Sequence, residues 1–172
     1  MGSKRTPKQV ADKFRILERG FKASINVCNE EIADRLTSDI TMKHAVFVGR
    51  LPITDPQDHD IAIYPEYLNN GQRLVLRVVG GQLIYDEFGT GDEGQRDPHP
   101  RKSEYNLNDY NSGPYIREDK YGRHYWFYKN KITNGVPSGK FLFESMMNAQ
   151  NYKADVVKKK TKEHWANWIL KG

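Results

Sequence analysis

A helical pattern of apolar residues in the N-terminal part of the chain constrains the fold more than any other feature. Thr6 and Pro7 are typical of a helix start, because a threonine oxygen caps free backbone N–H groups and proline lacks an N–H where none is needed. From there apolar side chains recur every three or four residues over about eight turns. They are Val10, Phe14, Leu17, Phe21, Ile25, Cys28, Ile32 and Leu36. We therefore predict a long amphipathic helix over about residues 6–40 that covers a sheet.

Two shorter segments further along have the pattern of a β-hairpin. Residues 61–68 and 73–80 are rich in β-branched and aromatic residues and flank the turn-forming sequence Asn-Asn-Gly-Gln, which predicts a hairpin over residues 61–80. Residues 45–60 contain two prolines and a polar cluster, which predicts irregular structure with at most one short strand. A further strand is predicted at 124–129, and C-terminal helices at 139–170.

The order of these elements predicts an α+β fold. A small antiparallel or mixed β-sheet would be covered by the long N-terminal helix and by the C-terminal helices. A chain of 172 residues fits one domain, so we expect residues 1–172 to form a single one. Residues 101–123 are polar, rich in tyrosine and asparagine, and too long for an ordinary connection, which predicts an extended functional loop.

The formal net charge of +5 is unevenly distributed, because basic residues concentrate near both ends and the middle is not basic. Cys28 is the only cysteine, which excludes an internal disulfide and a cysteine-based zinc cluster and is typical of a reducing cytoplasm. The N-terminus lacks the apolar core of a signal peptide, and nowhere do 18 apolar residues run together. We therefore expect neither classical export nor membrane insertion.

A glycine pattern raises the question of phosphate binding. Gly89, Gly91 and Gly94 have the spacing of a dinucleotide fingerprint, which binds phosphate where a strand turns into a helix. Residues 95–100 read Gln-Arg-Asp-Pro-His-Pro, for which we predict no helix. Two acidic residues directly after Gly91 would also repel phosphate oxygens. We therefore predict no phosphate site and no cofactor.

A tight turn explains these glycines better. Gly89 and Gly91 would take backbone conformations that other residues avoid, while Phe88 and Tyr85 would insert into the core. Glu87 lies directly before this turn. Its carboxylate would either anchor backbone N–H groups or meet a cation on a neighbouring subunit.

The histidines and the nucleophilic residues suggest no catalytic or metal site. His59 and His99 lack partners at metal-ligand spacing, so we predict that both are solvated loop histidines. No serine or cysteine has the sequence context of an activated nucleophile. We therefore expect no catalytic residue, no metal ligand and no enzymatic activity.

The C-terminal helical region is rich in lysine. Lys158, Lys159 and Lys160, with Trp165 and Trp168, would suit binding to nucleic acid or to an acidic partner, since cationic side chains release counterions from phosphates. The same pattern is more typical of a solvated helix face with aromatic residues packed on a core. A nucleic-acid-binding module therefore stays an alternative.

Four motifs in the second half of the chain resemble, in order and spacing, the tail-component family of long-tailed bacteriophages. That family combines a Tyr-x-Glu-Phe-Gly-Thr-Gly core, a Pro-His-Pro element, an aromatic strand and a Gly-x-Pro-x-x-x-Phe segment that opens a helix. The matching residues are Tyr85, Glu87, Phe88, Gly89, Thr90 and Gly91; Pro98, His99 and Pro100; Trp126 and Phe127; and Gly135, Pro137 and Phe141. Where the family has Ala-Arg-Pro before the last Phe, this chain has Ser138, Gly139 and Lys140.

The resemblance implies a structural virion protein of the head–tail junction, without catalytic activity. Such tail-completion or neck subunits form rings, commonly hexameric, between a head connector or head-closure protein and the tail tube or tail terminator protein. Genomic DNA would pass through the lumen without sequence-specific binding, and no membrane is involved. The protein would be in the host cytoplasm during assembly and then in the virion. A tail terminator ring that caps the tail tube is an equally open alternative.

The loop over residues 101–123 is the predicted contact with a neighbouring subunit or ring. Tyrosine side chains give a large contact area at a modest loss of conformational entropy. The loop contains Tyr105, Tyr110, Tyr115 and Tyr121. We also expect acidic or neutral residues to line the lumen, because a passage in which DNA slides should not bind phosphates tightly, and we expect the lysines to face outward or an acidic partner.

Overall fold

A computed structural model describes residues 6–51, 56–105, 117–128 and 131–171. The first helix, α1, spans Pro7–Val48. It starts with a capping box, in which the Gln9 backbone N–H donates to the Thr6 hydroxyl oxygen and the Thr6 N–H donates to the Gln9 side-chain oxygen. The predicted helix start is therefore confirmed.

α1 continues beyond its predicted end near residue 40. Residues 45–48, predicted to be irregular, form its last turn, and that prediction is wrong. The cause is tertiary packing: the His44 ring meets the Phe141 ring edge-on at a centroid distance of 4.9 Å, and the Phe47 ring lies 6.1 Å from the same ring. Burial against Phe141 outweighs the weak local preference of these residues.

The predicted hairpin is present. β1 spans Ile61–Leu68 and β2 spans Arg73–Gly80, and together they form a two-stranded sheet. Asn69, Asn70 and Gly71 turn the chain with φ angles of 52°, 54° and 83°. Asparagine and glycine tolerate this left-handed conformation better than other residues, which is why this sequence forms a turn.

The second sheet is three-stranded and antiparallel. Its order is β3 (Arg117–Glu118), β4 (His124–Tyr128) and β5 (Lys131–Thr133), and Phe127 pairs with Ile132 in the register. The strand predicted at 124–129 is thereby confirmed. A last strand, β6 (Gly135–Val136), follows β5 directly.

The described ranges contain three further α-helices. α2 spans Leu83–Phe88 and α3 spans Gly91–Arg96. α4 spans Phe141–Lys171 as one unbroken helix, which starts two residues after the predicted start at residue 139. The predicted α+β class, with a long N-terminal helix, a small antiparallel sheet and a C-terminal helix, is confirmed. No helix within the described ranges is long and apolar enough to cross a membrane.

The predicted loop over residues 101–123 is partly described. It starts with a short 3-10 helix, Lys102–Tyr105, and later includes β3. Tyr110 and Tyr115 lie outside the described residues, as does the side chain of Tyr105. The Tyr121 side chain is 69% exposed.

Contacts divide the chain into two compact units. The first comprises Met1–Thr37, Tyr64–Arg77 and Met147–Gly172, and the second comprises Ser38–Ile63 and Val78–Met146. Both α1 and α4 contribute to each unit. That the whole chain forms a single domain stays a prediction.

In the first unit α1 packs antiparallel to α4. Cys28 Sγ lies 3.9 Å from Thr161 Oγ1, and a Cβ on Gly20 would lie 3.3 Å from the Trp165 ring. Small side chains therefore let the two helices approach closely. The buried residues of this contact region are Ser24, Cys28, Ala33, Leu36 and Val156.

The hairpin turn is attached to α1 within the same unit. The Asn29 amide donates to the Gly71 carbonyl oxygen at 2.6 Å.

Burial raises the pKa of Tyr67, and the nearby carboxylates of Asp34 and Glu30 raise it further. The tyrosine hydroxyl therefore stays protonated over a wider pH range than in water.

Replacing Gly71 with alanine should destabilise the protein. The new Cβ would meet the Asn26 side chain at a position where φ is +83°, and the left-handed conformation alone costs alanine about 1–2 kcal/mol. Gly81→Ala is the matched control, because a Cβ there meets nothing within 4 Å and should change the free energy of unfolding by less than about 0.5 kcal/mol. Urea denaturation measures both. Equal stabilities of the two variants would contradict the described turn.

Candidate functional site

The carboxylate of Glu87 caps a helix that starts far away in sequence. Glu87 lies in α2 and is only 3% exposed. Its two oxygens accept hydrogen bonds from the backbone N–H groups of Leu142 and Phe143, both at 2.9 Å. These are first-turn N–H groups of α4, which have no partner inside the helix. Lys140, directly before α4, has no side-chain oxygen with which to cap them, so Glu87 does so instead.

His99 completes the surroundings of this carboxylate. Its Nε2 atom lies 3.0 Å from Glu87 Oε1, and its Nδ1 atom accepts a hydrogen bond from the Arg101 backbone N–H at 3.1 Å. Because Nδ1 accepts a hydrogen bond, the ring N–H that faces Glu87 is that of Nε2, and it donates a hydrogen bond to the carboxylate. We call the Glu87 carboxylate, the His99 ring and the N–H groups of Leu142 and Phe143 the Glu87 anchor.

A second buried carboxylate lies next to the first. Asp86 is fully buried, and both of its carboxylate oxygens lie 2.8 Å from His59 Nδ1. The Nε2 atom of His44 lies 3.9 Å from Asp86 Oδ2. Buried carboxylates need such partners, because an unpaired charge in the interior is strongly unfavourable. Consecutive residues of α2 thus anchor to different parts of the second unit.

The backbone around Glu87 is held by further hydrogen bonds. The Gly139 N–H donates to the Asp86 carbonyl at 2.7 Å, and the Lys140 N–H donates to the Glu87 carbonyl at 3.2 Å. The Ser138 hydroxyl donates to the same Glu87 carbonyl at 2.8 Å. The Lys140 side chain pairs with Asp97. Residues 138–140, which differ from the family pattern, therefore take part in the same contact.

The glycine pattern serves close backbone packing. A Cβ on Gly89 would lie 2.7 Å from the Ser138 nitrogen and 2.8 Å from the Gly94 Cα. Gly89 and Gly91 have φ angles of 70° and 57°, which confirms the predicted turn. The expectation of no helix after it is wrong in part, because α3 continues through Arg96. Gly89 lies between α2 and α3, and Gly91 and Gly94 belong to α3, so the pattern follows a helix and not a strand.

The four motif segments meet around α2 and α3. Thr90 and Gly91 form antiparallel β-bridges with Val136 and Gly135, respectively. The backbone N–H of His124, the first residue of β4, donates to Asp92 of α3 at 2.6 Å. The His99 ring and the start of α4 are joined through Glu87. All four segments are thus linked within the second unit.

The other predicted motif residues differ in burial. Phe88 is half-buried, with its ring 4.3 Å from the His99 ring, and Phe141 is 1% exposed. Tyr85 is 38% exposed, so its predicted insertion into the core is wrong. Pro98, Pro100 and Pro137 are exposed. For Trp126 and Phe127 the structure describes the backbone pairing in β4.

The prediction for the two histidines is wrong. His59 and His99 are 4% and 5% exposed, and each binds a buried carboxylate. Asp86 was not predicted as the partner of His59. The available signal was a pair of adjacent acids inside the apolar segment Leu-Ile-Tyr-Asp-Glu-Phe, since acids that are buried by such neighbours require nearby donors.

Neither His59 nor His99 bonds to a nucleophilic side chain among the described residues. A carboxylate–histidine pair assists catalysis when the histidine also activates a nucleophile. His59 Nε2 and the buried Ser145 hydroxyl each lack a hydrogen-bond partner in the described part of the chain, so the two are not bonded to each other. Among the described residues, no group of three or more His, Cys, Asp or Glu could hold a metal ion.

Comparisons with known proteins leave the resemblance to phage tail components as a hypothesis. The chain matches no protein-family model, no curated protein and no solved structure. The function is therefore argued from the motifs and from the contacts between them.

Removing the charge of Glu87 should destabilise the protein strongly. In Glu87→Gln the side-chain NH₂ group cannot accept a hydrogen bond, so either a first-turn N–H of α4 or the His99 N–H loses its acceptor. This should lower the free energy of unfolding by about 2–4 kcal/mol. Glu104→Gln is the control, because Glu104 pairs with Arg101 at the surface, where such pairs contribute little. Chemical denaturation gives the free energies of unfolding. A Glu87→Gln variant as stable as Glu104→Gln would refute the anchor.

Proposed function

We propose that the protein is a structural virion protein at the head–tail junction of a long-tailed bacteriophage. It would act as a tail-completion or neck ring subunit that joins the tail to the DNA-filled head and lets DNA pass. The observation that carries this proposal is the meeting of the four motif segments around α2 and α3. Each motif alone is a weak signal, but segments that form one connected cluster behave as parts of a single structural unit.

The burial of the cluster supports a mechanical role. Asp86, Glu87, His59 and His99 are each no more than 5% exposed, so a substrate would reach them only after local unfolding. Buried carboxylates whose oxygens are hydrogen-bonded instead hold the backbone in one arrangement. A ring subunit needs such rigidity, because a small error in each subunit would prevent a closed ring.

The exposed parts of the chain supply surfaces for assembly. Tyr121 is 69% exposed at the end of the predicted contact loop, and an exposed tyrosine is a frequent interface residue. Tyr105, Tyr110 and Tyr115 belong to the same predicted loop. The contacts that we propose for it are with a neighbouring subunit, the head connector or head-closure protein, or the tail tube or tail terminator protein.

The charges of α4 support the nucleic-acid alternative. Lys158 and Lys159 are exposed. Lys160 Nζ, by contrast, lies 3.5 Å from Glu31 Oε2 and forms an ion pair within the first unit. In the ring proposal the exposed lysines face an acidic partner or solvent, and the lumen is acidic or neutral. A tail terminator ring is a variant of the same proposal, because it also closes the upper end of a tail.

A joining assay tests the proposal directly. Purified wild-type chain should increase the number of complete particles when it is added to DNA-filled heads and isolated tails, counted by electron microscopy. Replacing Tyr110, Tyr115 and Tyr121 with serine should leave the circular-dichroism spectrum unchanged but reduce joining about tenfold or more, because buried interface tyrosines contribute strongly to binding. Tyr64→Ser is the control, because Tyr64 is also an exposed tyrosine but lies in β1, outside the loop. Full joining by the tyrosine variant would count against the proposed role of the loop.

Weak binding to DNA is also expected. The purified chain should show little affinity for duplex DNA in a fluorescence-anisotropy titration, since a passage for sliding DNA should make few phosphate contacts. Lys158→Gln combined with Lys159→Gln should then leave the affinity for duplex DNA unchanged. Tight binding that falls steeply with added salt and is weakened by this variant would favour the nucleic-acid-binding module instead.

A further inference from the structure

The N-terminal half of α1 leaves a row of large apolar side chains exposed. Burial of such side chains is the main source of stability in proteins, so an uncovered row marks a contact surface. We call these residues the α1 stripe: Val10 (40% exposed), Phe14 (67%), Leu17 (46%) and Phe21 (57%).

The spacing of the α1 stripe is that of a coiled-coil seam. Its residues are separated by four, three and four positions, which places Phe14 and Phe21 at heptad positions a, and Val10 and Leu17 at positions d. The next two positions of the same seam are Ser24 and Cys28, which are buried in the first unit, where Cys28 contacts Thr161 of α4. α4 thus covers the seam at Cys28, whereas the side chains of the α1 stripe are 40–67% exposed.

The flanking charges fit a second copy of the same helix in parallel orientation. Lys13 occupies position g and Glu18 the following position e. In a parallel pair each g residue faces the e residue five positions further along the partner, so Lys13 of each helix would meet Glu18 of the other. Glu18 also forms an ion pair with Lys22 of its own helix at 2.6 Å, but both side chains are more than half exposed, so Glu18 stays accessible to a partner helix. An antiparallel pair brings e to e and g to g, and would not join these opposite charges.

We propose that the α1 stripe packs against the α1 stripe of a second copy of this chain, with the helices parallel. A twofold axis parallel to the helices generates this arrangement, in which both copies use the same patch, so the contact pairs two chains. The inference goes beyond the proposed function, since it names a surface at which two copies of this chain pair. The stripe is only about 16 Å long, so each contact is small and self-association should grow with concentration.

Sedimentation equilibrium of the full chain tests the contact. Wild type should gain mass with concentration, and Phe14→Glu combined with Phe21→Glu should weaken this association about tenfold or more. Lys8→Gln with Arg15→Gln is the control, because it changes the net charge by the same two units on exposed b positions and should retain association. Circular dichroism confirms that each variant is folded. A wild type that stays monomeric at every concentration, or a stripe variant that associates as wild type does, would overturn the proposal.

A charge exchange tests the orientation. Lys13→Glu alone and Glu18→Lys alone should each weaken self-association, because each brings like charges together, and the double variant should restore it. Failure of the double variant to restore it would overturn the parallel arrangement.

The joining assay separates this inference from the proposed function. A stripe variant that has lost self-association and also fails to join heads to tails would support both. A stripe variant that is monomeric yet still joins them would support pairing through the α1 stripe and leave the head–tail function standing, with joining independent of that pairing.

Discussion

The structure of the second unit depends on a helix cap that comes from elsewhere in the chain. α4 starts without a capping oxygen of its own, and Glu87, 55 positions before Leu142, supplies the acceptor. A buried carboxylate in this position is favoured by the positive end of the helix dipole, and it is also stabilised by the His99 N–H. Because all three contacts converge on two oxygen atoms, the positions of α2, the Pro-His-Pro element and the start of α4 are fixed together.

Close glycine contacts make this arrangement specific. Gly89 approaches both Ser138 and Gly94 at distances that exclude a side chain, and Gly135 approaches Thr90 in the same way. The Glu87 anchor and the close backbone contacts of the glycines therefore depend on each other, because the Glu87 carboxylate reaches the backbone N–H groups of α4 only when the backbones lie close together. Such a network favours one rigid arrangement over alternatives. Rigidity of this kind suits a subunit that repeats around a closed ring, which is how the local chemistry and the proposed head–tail role connect.

Elements with strong local signals could be predicted from the sequence, whereas contacts between distant segments could not. The Thr6–Pro7 start of α1, the Asn-Asn-Gly-Gln hairpin turn and the Gly89–Gly91 turn all follow from local conformational preferences, and all are confirmed. The end of α1 was missed because Phe141, far away in sequence, covers its last turn. His59 and His99 were predicted to be solvated loop histidines, which is wrong. His59 binds an acid 27 positions away in sequence and His99 binds an acid 12 positions away, and no local sequence pattern reveals such partners. Glu87 was singled out correctly beside its turn, but the helix that it caps was not identified.

The central claim is that this chain belongs to a ring between head and tail, and its location in a particle tests that claim most directly. A peptide tag on the chain would be expressed together with its genomic neighbours, and purified particles would be labelled with gold-conjugated antibody and imaged by electron microscopy. The account predicts gold at the junction between head and tail, in several copies for each particle. Label along the tail shaft, label on the head shell, or a protein absent from purified particles would contradict it.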